Sequence, residues 1–562
     1  MLILEQSRAV RVIDSPPVDQ DIHVVMQYFV HANPIRDAEL KRTLRFLCEC
    51  PHIAQIHMLN EQIYPDLLTQ PKIRQTNLGA RLRFKDVFQY LRENDIRGYH
   101  VIINSDICFD DTLANLRRSD LHLHKKMMAQ LRYEVLDEDP RNLEDVATSS
   151  EIFGPRADSQ DTWIFHSDQA LPAKFEKLFN FAFGKPGCDN KLLYLMRMLG
   201  YEVLNDPAFV KTYHIHASQE RNYTVKDRIA SPYAMIGPYG YDMEQMSAPY
   251  MQTRTGNRPY NDVAFVDNDV LHDYIARKLA AHEHFVIPRI AGIENNYAAF
   301  GRIIKQSGGQ IPPRLKEYFE QTIPIMKNNA GIRLSSVESI VKYSDLYLEA
   351  FDNCELYAGW ECCGGLIRSI DQSHEMIRQW YSGSRLFWAS AFDVFHYIYG
   401  TPWTQALRGK RILVVSPFEA SFREKVDDQL LATLYDGVDL FPECSFLFIK
   451  PPQTQSVEPS EEFSVELDRF LRLGLDQVRG QYDVALVSCG GYGNLVCNAI
   501  YKTGHSAIYV GGVLQMYFGV LGSRWLRDRA DVLRLFLNSS WSRPKASERP
   551  KESNRVEGAC YW

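Results

Sequence analysis

Two α/β domains in tandem, each a mostly parallel sheet flanked by helices, are what this sequence predicts. A length of 562 residues exceeds what one hydrophobic core usually serves. Short apolar runs alternate with amphipathic segments in both halves of the chain. Between them lies an irregular stretch, YAMIGPYGYDMEQMSAPYMQTRTGNRPYND, crowded with Pro, Gly and Tyr. A hydrophobic content of 45% with 12% aromatic residues is ordinary for a globular chain and argues against disorder.

The first domain opens at Ile22. The segment HVVMQYFVHANPIRDAELKRTLRFLCECPHIAQIHMLNEQ reads as a strand, a loop with Pro34, a helix and a second strand. Leu40, Leu44 and Leu47 fall on one helix face at i, i+4, i+7. The next helix, FKDVFQYLREN, leads into Tyr99–Ile103, an uninterrupted apolar run of the kind found in a buried parallel strand. In open parallel sheets ligands bind beyond the carboxyl ends of the strands, which is where Asn104, Ser105 and Asp106 stand.

Regular patterning resumes near Leu271. HFVIPRI, RILVVSPF and YDVALVSC read as strands, the last followed by the glycine turn GGYGNLVCNAIYKTG, and SAIYVGG as another. The predicted organisation is an extension over 1–20, a first domain over 21–225, a linker or excursion over 226–262 and a second domain over 263–537. The polar, Pro-containing tail 538–562 is predicted to be disordered.

Charge narrows the function classes. Lys and Arg number 63 against 70 Asp and Glu, the net charge is −7 and the pI is near 6.2, so no sequence-wide cationic surface for nucleic acid is present. The opening MLILEQSRAVRVIDSPP meets Glu5 and Arg8 too early for a secretory core. The uncharged stretch from Gly504 to Ser523 contains Gly511, Gly512, Gly519 and Gly522 and reads as strand, loop and helix start rather than a membrane span. Eleven cysteines without regular spacing, with Cys48/Cys50 and Cys362/Cys363 too close for zinc pairs, point to free thiols and a cytoplasmic protein.

Three carboxylates, Asp106, Asp110 and Asp111, follow the strand Tyr99–Ile103. Oxygen ligands suit Mg²⁺ or Mn²⁺, ions that bridge nucleotide phosphates. Asp110 and Asp111 also read as a cap for the helix beginning DTLANLR, whereas Asp106 follows the strand directly. Asp161 precedes the apolar TWIF. Asp189 stands at a helix start, where the helix dipole would hold it ionised and where it reads either as a favourable cap residue or as a general base. His214 and His216 alternate on KTYHIH and share one strand face. Arg81, Arg83 and Lys85 read either as a solvated helix edge or as cations for a diphosphate. Gly490, Gly491 and Gly493 read either as a phosphate cradle or as a steric requirement of the turn.

Taken together, the strand–helix–strand start, NSDICF, SQDTWIF, GCDNKLLYLMRMLGYEVLND and YHIH resemble the GT-A fold of nucleotide-sugar-dependent glycosyltransferases over about Ile22 to Tyr223. The resemblance implies that Asp106 is the last acid of the metal motif, Asp189 the acceptor base, and His214 or His216 the late metal ligand. Asn104, Asp161 and Arg83 are further candidates for the donor side. Asn104 stands where that motif has its first Asp, and Cys188 where the acidic pair has Glu. The later HFVIPRIAGIENN and YDVALVSCGGYGN resemble the GT-D type, whose opening motif Arg289 and Glu294 match while Gly292 replaces its Asp. The expected activity is hexosyl or pentosyl transfer from a nucleotide diphosphate sugar to a hydroxyl of a glycan or glycoconjugate, with Mn²⁺ or Mg²⁺, as in polysaccharide biosynthesis. The second half is active or degenerate. A non-catalytic glycan-binding or assembly scaffold and a sugar nucleotidyltransferase are the alternatives. The latter should carry glycines after the first strand, which YFVHANPIRD lacks.

Overall fold

The computed structural model describes the chain apart from residues 1, 219, 221–222, 231, 242–262, 266, 360–367, 456–460, 530–532, 534, 551–552 and 557. It divides into two compact units, Met1–Asn257 and Arg258–Trp562. Most of the linker expected over 226–262 lies outside the described residues.

The first unit begins with β1 (Leu2–Gln6), β2 (Ile22–Met26), α1 (Pro34–Glu49), β3 (Gln55–Asn60), β4 (Ile73–Asn77), α2 (Phe84–Glu93) and β5 (Tyr99–Ile103). It continues through β6 (Ile107–Phe109), β7 (Lys126–Gln130), β8 (Tyr133–Val135), α3 (Leu143–Thr148), β9 (Ser150–Ile152) and β10 (Thr162–His166). α4 (Cys188–Met198), β11 (Glu202–Leu204), β12 (Thr212–His214) and β13 (Tyr233–Gly237) complete it. Seven strands form the main sheet in the order β11-β7-β10-β5-β2-β3-β4. β2 pairs in parallel with β5 and β3, β3 with β4, and β11 with β7, while β10 runs antiparallel to both its neighbours.

α1 forms as its sequence dictates. Asn33 caps it by accepting from the Ile35 N–H, and Pro34 sits at its first position, where a missing N–H costs nothing. Leu40, Leu44 and Leu47 are buried against Val24, Met26, Val101 and Ile103 of the sheet. At about 1.5–3 kcal/mol for each fully buried leucine, this face anchors the helix, and one charge placed at Leu44 would break it. Every residue of β5 is buried, as its unbroken apolar run requires. A second sheet, β6-β12-β8-β9, lies beyond the end of β5.

In the second unit, β14 (Val263–Phe265) and α5 (Asn268–Ala280) precede β15 (Val286–Ile287), α6 (Gly292–Gln306) and α7 (Val337–Asp352). β16 (Leu356–Gly359) and β17 (Arg385–Trp388) form a separate parallel pair. β18 (Arg411–Val415), α8 (Glu419–Asp427), β19 (Ser445–Ile449), β20 (Val484–Val487), α9 (Gly493–Lys502) and β21 (Ser506–Tyr509) follow. The main sheet, β15-β21-β20-β18-β19, is parallel throughout. HFVIPRI, RILVVSPF and YDVALVSC thus contribute to one sheet, as predicted.

The tail corrects an expectation. Trp541, Val556, Cys560 and Trp562 are buried, and the Glu548 carboxylate accepts the Ala420 and Ser421 N–H groups at the start of α8, satisfying donors a helix cannot pair itself. Sparse but large apolar side chains and one buried carboxylate order a segment whose composition is polar. The described cysteines are free thiols, and among the described residues no helix is long and apolar enough to cross a membrane.

Candidate active site

A cleft of about 700 Å³ opens in the first unit at the carboxyl end of β5. Its lining includes Asn104, Asp106, Asp161, Asp189, His214 and His216, predicted residues that the structure brings together. It also includes Arg36, Arg81, Arg132, Arg156, Asp158, Lys185 and Arg228.

Strand register builds one end of this cleft. β12 pairs antiparallel with β6, setting His214 opposite Ile107, and the Ile215 N–H donates to the Asp106 carbonyl at 3.0 Å. Asp106 and the histidines must therefore be neighbours, and His216 follows on the same side with its ring 5.3 Å from that of His214. His214 Nε2 is 3.2 Å and His216 Nδ1 3.8 Å from Asp106 Oδ2. Ligand atoms of all three lie within 4.8 Å of one another.

Asp106 Oδ2 also accepts from Arg36 Nη2, whose other terminal nitrogen binds Glu39 at 2.9 Å and the Ile215 carbonyl at 3.1 Å. Asp106 Oδ1 is buried without a hydrogen-bond partner. Leaving a buried carboxylate oxygen unmade is costly. Burial would raise the Asp106 pKa, but His214 and Arg36 outweigh it and hold the group well below the usual carboxylate range. Burial likewise disfavours charge on His214, yet Asp106 and Glu134 bring its pKa up to about 9. His216 shifts the other way, lowered by burial and by Arg36. A carboxylate and two imidazoles gathered at one end of the cleft are a donor set that suits a small divalent cation.

Asn104 does not join this set. Its Nδ2 donates to Asp161 Oδ1 at 2.5 Å, and its N–H donates to the Asp161 carbonyl at 3.1 Å. Asp161 is also paired with Arg132, which Phe153 covers at 4.0 Å from guanidinium carbon to ring centroid. Asp161 therefore carries structural bonds from two directions.

Asp189 lies in the first turn of α4, after Gly187, whose φ of +77° few side chains tolerate. The Gln160 N–H reaches its Oδ2 at 3.4 Å. Here the sequence expectation fails in sign: desolvation, reinforced by Asp161 and Asp158, outweighs the backbone donors and lifts the Asp189 pKa to about 7. The residue as a whole is half-buried and lines the cleft. A group half-ionised near neutrality is better matched to proton transfer than one held fully ionised.

Several predicted residues lie elsewhere. Arg83 is exposed at the start of α2, donates to Asn180 Oδ1 at 2.9 Å and does not line the cleft, and neither does Lys85. Arg81 does, anchored on the Phe183 and Gly184 carbonyls at 3.0 and 3.3 Å. Asp110 is a cap, accepting from Thr112 N–H at 2.9 Å and from Tyr213 Oη–H at 2.7 Å. Arg36, Arg132 and Glu134 were not signalled by any motif, since β-register and the approach of α1 bring them in.

In the second unit Arg289 and α9 do meet: the Arg289 N–H donates to Asn494 Oδ1, and Asn494 Nδ2 donates to the Arg289 carbonyl, both at 3.0 Å. Glu294 and Arg289 both influence Tyr347 and Tyr509, whose hydroxyls burial holds well above their ordinary range. The glycine turn is not an open cradle. A Cβ on Gly493 would stand 2.3 Å from the Tyr509 ring, and one on Gly491 2.4 Å from Ile332. On Gly490 it would meet the Ala330 carbonyl at 3.0 Å. Tyr509 donates to the Gly490 carbonyl at 2.8 Å and Tyr343 to that of Gly491 at 2.9 Å. The packing around these glycines shows a steric demand for them at all three positions.

No family model and no curated protein matches the chain. Among solved structures it is similar to GalNAc-T7 with UDP, GalNAc and Mn²⁺, at 11% identity over 54% of each chain with a TM-score of 0.25. It is similar to a DUF1792 glycosyltransferase from Streptococcus sanguinis at 15% identity, over 48% of this chain and 87% of that one, TM-score 0.23. It is also similar to the mannosyltransferase PcManGT from Pyrobaculum calidifontis with GDP-Man and Mn²⁺, at 12% identity over 67% and 87%, TM-score 0.24. Likenesses this remote leave the reading of the site to its own geometry.

Proposed function

We propose that the first unit is a GT-A-like glycosyltransferase that moves a sugar from a nucleotide diphosphate donor to a hydroxyl of a glycan or glycoconjugate. The observation that carries this reading is one cleft holding both the Asp106–His214–His216 cluster, with its unpartnered buried oxygen, and a carboxyl of pKa about 7 at Asp189. Asp106, His214 and His216 are the residues that would hold Mn²⁺ or Mg²⁺. A bound cation there supplies Lewis-acid stabilisation to a diphosphate leaving group.

The remaining chemistry belongs to the chain. Arg81 adds fixed positive charge facing the cleft without a carboxylate partner among the described residues, which favours an anionic donor. Asp189 accepts the proton of the acceptor hydroxyl as it attacks the anomeric carbon, and its raised pKa makes it a stronger base than an ordinary carboxylate. Asp161 and Asn104, bonded to each other, shape the donor side rather than coordinate it.

For the second unit the GT-D resemblance supports a transferase-like domain whose Arg289 and Glu294 are gathered at one strand end. Its packed glycine turn favours the degenerate, scaffolding form of that reading. Free thiols and soluble nucleotide donors suit a cytoplasmic setting. Nucleotide diphosphate release from a panel of UDP-, GDP-, ADP- and dTDP-linked sugars, with Mn²⁺ and with a chelator, tests the proposal. Metal-dependent release from at least one nucleotide diphosphate sugar is expected, and no release from any of them with full metal occupancy would return the chain to the scaffold reading.

A further inference from the structure

We infer that Glu134 is a positioning residue for the metal locus, fixing the ring of His214 so that Nε2 faces Asp106. The inference rests on the metal reading proposed above. β8 pairs in parallel with β12, and the register sets Glu134 beside His214. Glu134 Oε2 lies 2.7 Å from His214 Nδ1, while Nε2, on the far side of the ring, lies 3.2 Å from Asp106. In its neutral, metal-ligating form an imidazole whose Nδ1 proton is held by a carboxylate presents a lone pair at Nε2, so the Glu134 contact selects both the tautomer and the ring orientation needed for ligation.

Glu134 is itself held. Its other oxygen, Oε1, accepts from Arg132 Nε at 2.6 Å. Arg132 in turn donates to Ser159 Oγ at 2.9 Å and pairs with Asp161, so the guanidinium cannot swing away. The two oxygens of Glu134 thus have separate tasks, one anchoring and one orienting. Glu134 does not line the cleft, and it is not among the side chains whose ligand atoms cluster around Asp106. It acts through His214.

A plain structural ion pair between Glu134 and Arg132 would predict lost stability and nothing more. Glu151, opposite Glu134 on β9, provides the control, because it is exposed and carries the same charge on the adjacent strand. Mn²⁺ binding to the full chain, read by the electron paramagnetic resonance of free ion with the metal alone as probe, separates the two accounts. Wild type should bind Mn²⁺ at a site that His214→Ala removes. Glu134→Ala should weaken that binding by about 10- to 100-fold, the usual scale for losing a carboxylate behind a ligating histidine. Glu134→Gln, which keeps the volume and an acceptor oxygen, should fall between, and it carries the test if the alanine variant does not fold. Glu151→Gln should bind like wild type. Unchanged affinity in the Glu134 variants beside a binding wild type would overturn this inference alone. A wild-type chain that takes up no Mn²⁺ would overturn the metal reading, and this inference with it.

Discussion

In the first unit the loop after β5 leaves one oxygen of Asp106 buried and unpartnered beside two histidines, whereas in the second the turn after β20 has each of its three glycines pressed against a neighbour. Both loops leave the carboxyl end of a buried strand, where α/β sheets place ligands. The difference lies in what reaches the strand end. Around Asp106 short polar loops bring charged groups that stop short of filling the space, while around Gly491 the side chain of Ile332 and the ring of Tyr509 occupy it. A strand-end position offers a site only where packing leaves one.

The largest effect that would break this contrast belongs to Asp189. Asp189→Asn should cut turnover by about 10²- to 10⁴-fold while donor binding stays, the usual scale for a removed general base. Wild-type rates should also fall as pH drops below about 7, because the carboxyl is then protonated, and the variant should lack that limb. Loss of donor affinity in the variant would make Asp189 a cap instead.

Packing in the second unit sets the next effect. Gly493→Ala should destabilise that unit by about 1–3 kcal/mol through overpacking against Tyr509, lowering its denaturation midpoint while turnover per folded molecule is unchanged. A stable variant with altered nucleotide binding would favour the phosphate-cradle reading.

Asp189→Asn should also change stability with a definite sign. The folded pKa of about 7 lies above the ordinary value, so the wild-type carboxyl costs the folded state increasingly as pH rises toward 7. The variant should gain Tm most above pH 7, and the gain should vanish near pH 4. A Tm difference that grows toward acid would reverse the assignment. The smallest effect is expected at Arg83, which is exposed and outside the cleft: Arg83→Ala should change stability by no more than about 0.5 kcal/mol and leave the donor KM alone.

Much of this was legible in the sequence, for identifiable reasons. Tyr99–Ile103 is unbroken by polar residues, so its burial and the strand-end place of Asp106 followed from pattern alone. His214 and His216 share a face because strand periodicity is two. Arg36 and Glu134 were not legible, since each reaches the site through pairing between segments far apart in the chain. Arg81 and Arg83 were indistinguishable by spacing, and only the Phe183 and Gly184 carbonyls show which one turns inward. The Asp189 pKa was read with the wrong sign because the helix start is visible in sequence and the neighbouring Asp158 and Asp161 are not. Polar composition hid the tail's order, because Trp541, Cys560 and Trp562 are few but buried.

The most direct test of the central claim is nucleotide diphosphate release by wild type, Asp106→Ala and Asp106→Asn on the donor the wild type prefers, at saturating Mn²⁺. Because Arg36 keeps Glu39 as a partner at 2.9 Å, the variants should remain folded, and circular dichroism checks this. The expected result is metal-dependent release by wild type and none above background by either variant. Release at the wild-type rate by a folded Asp106 variant would contradict the claim that this carboxylate is the centre of the site.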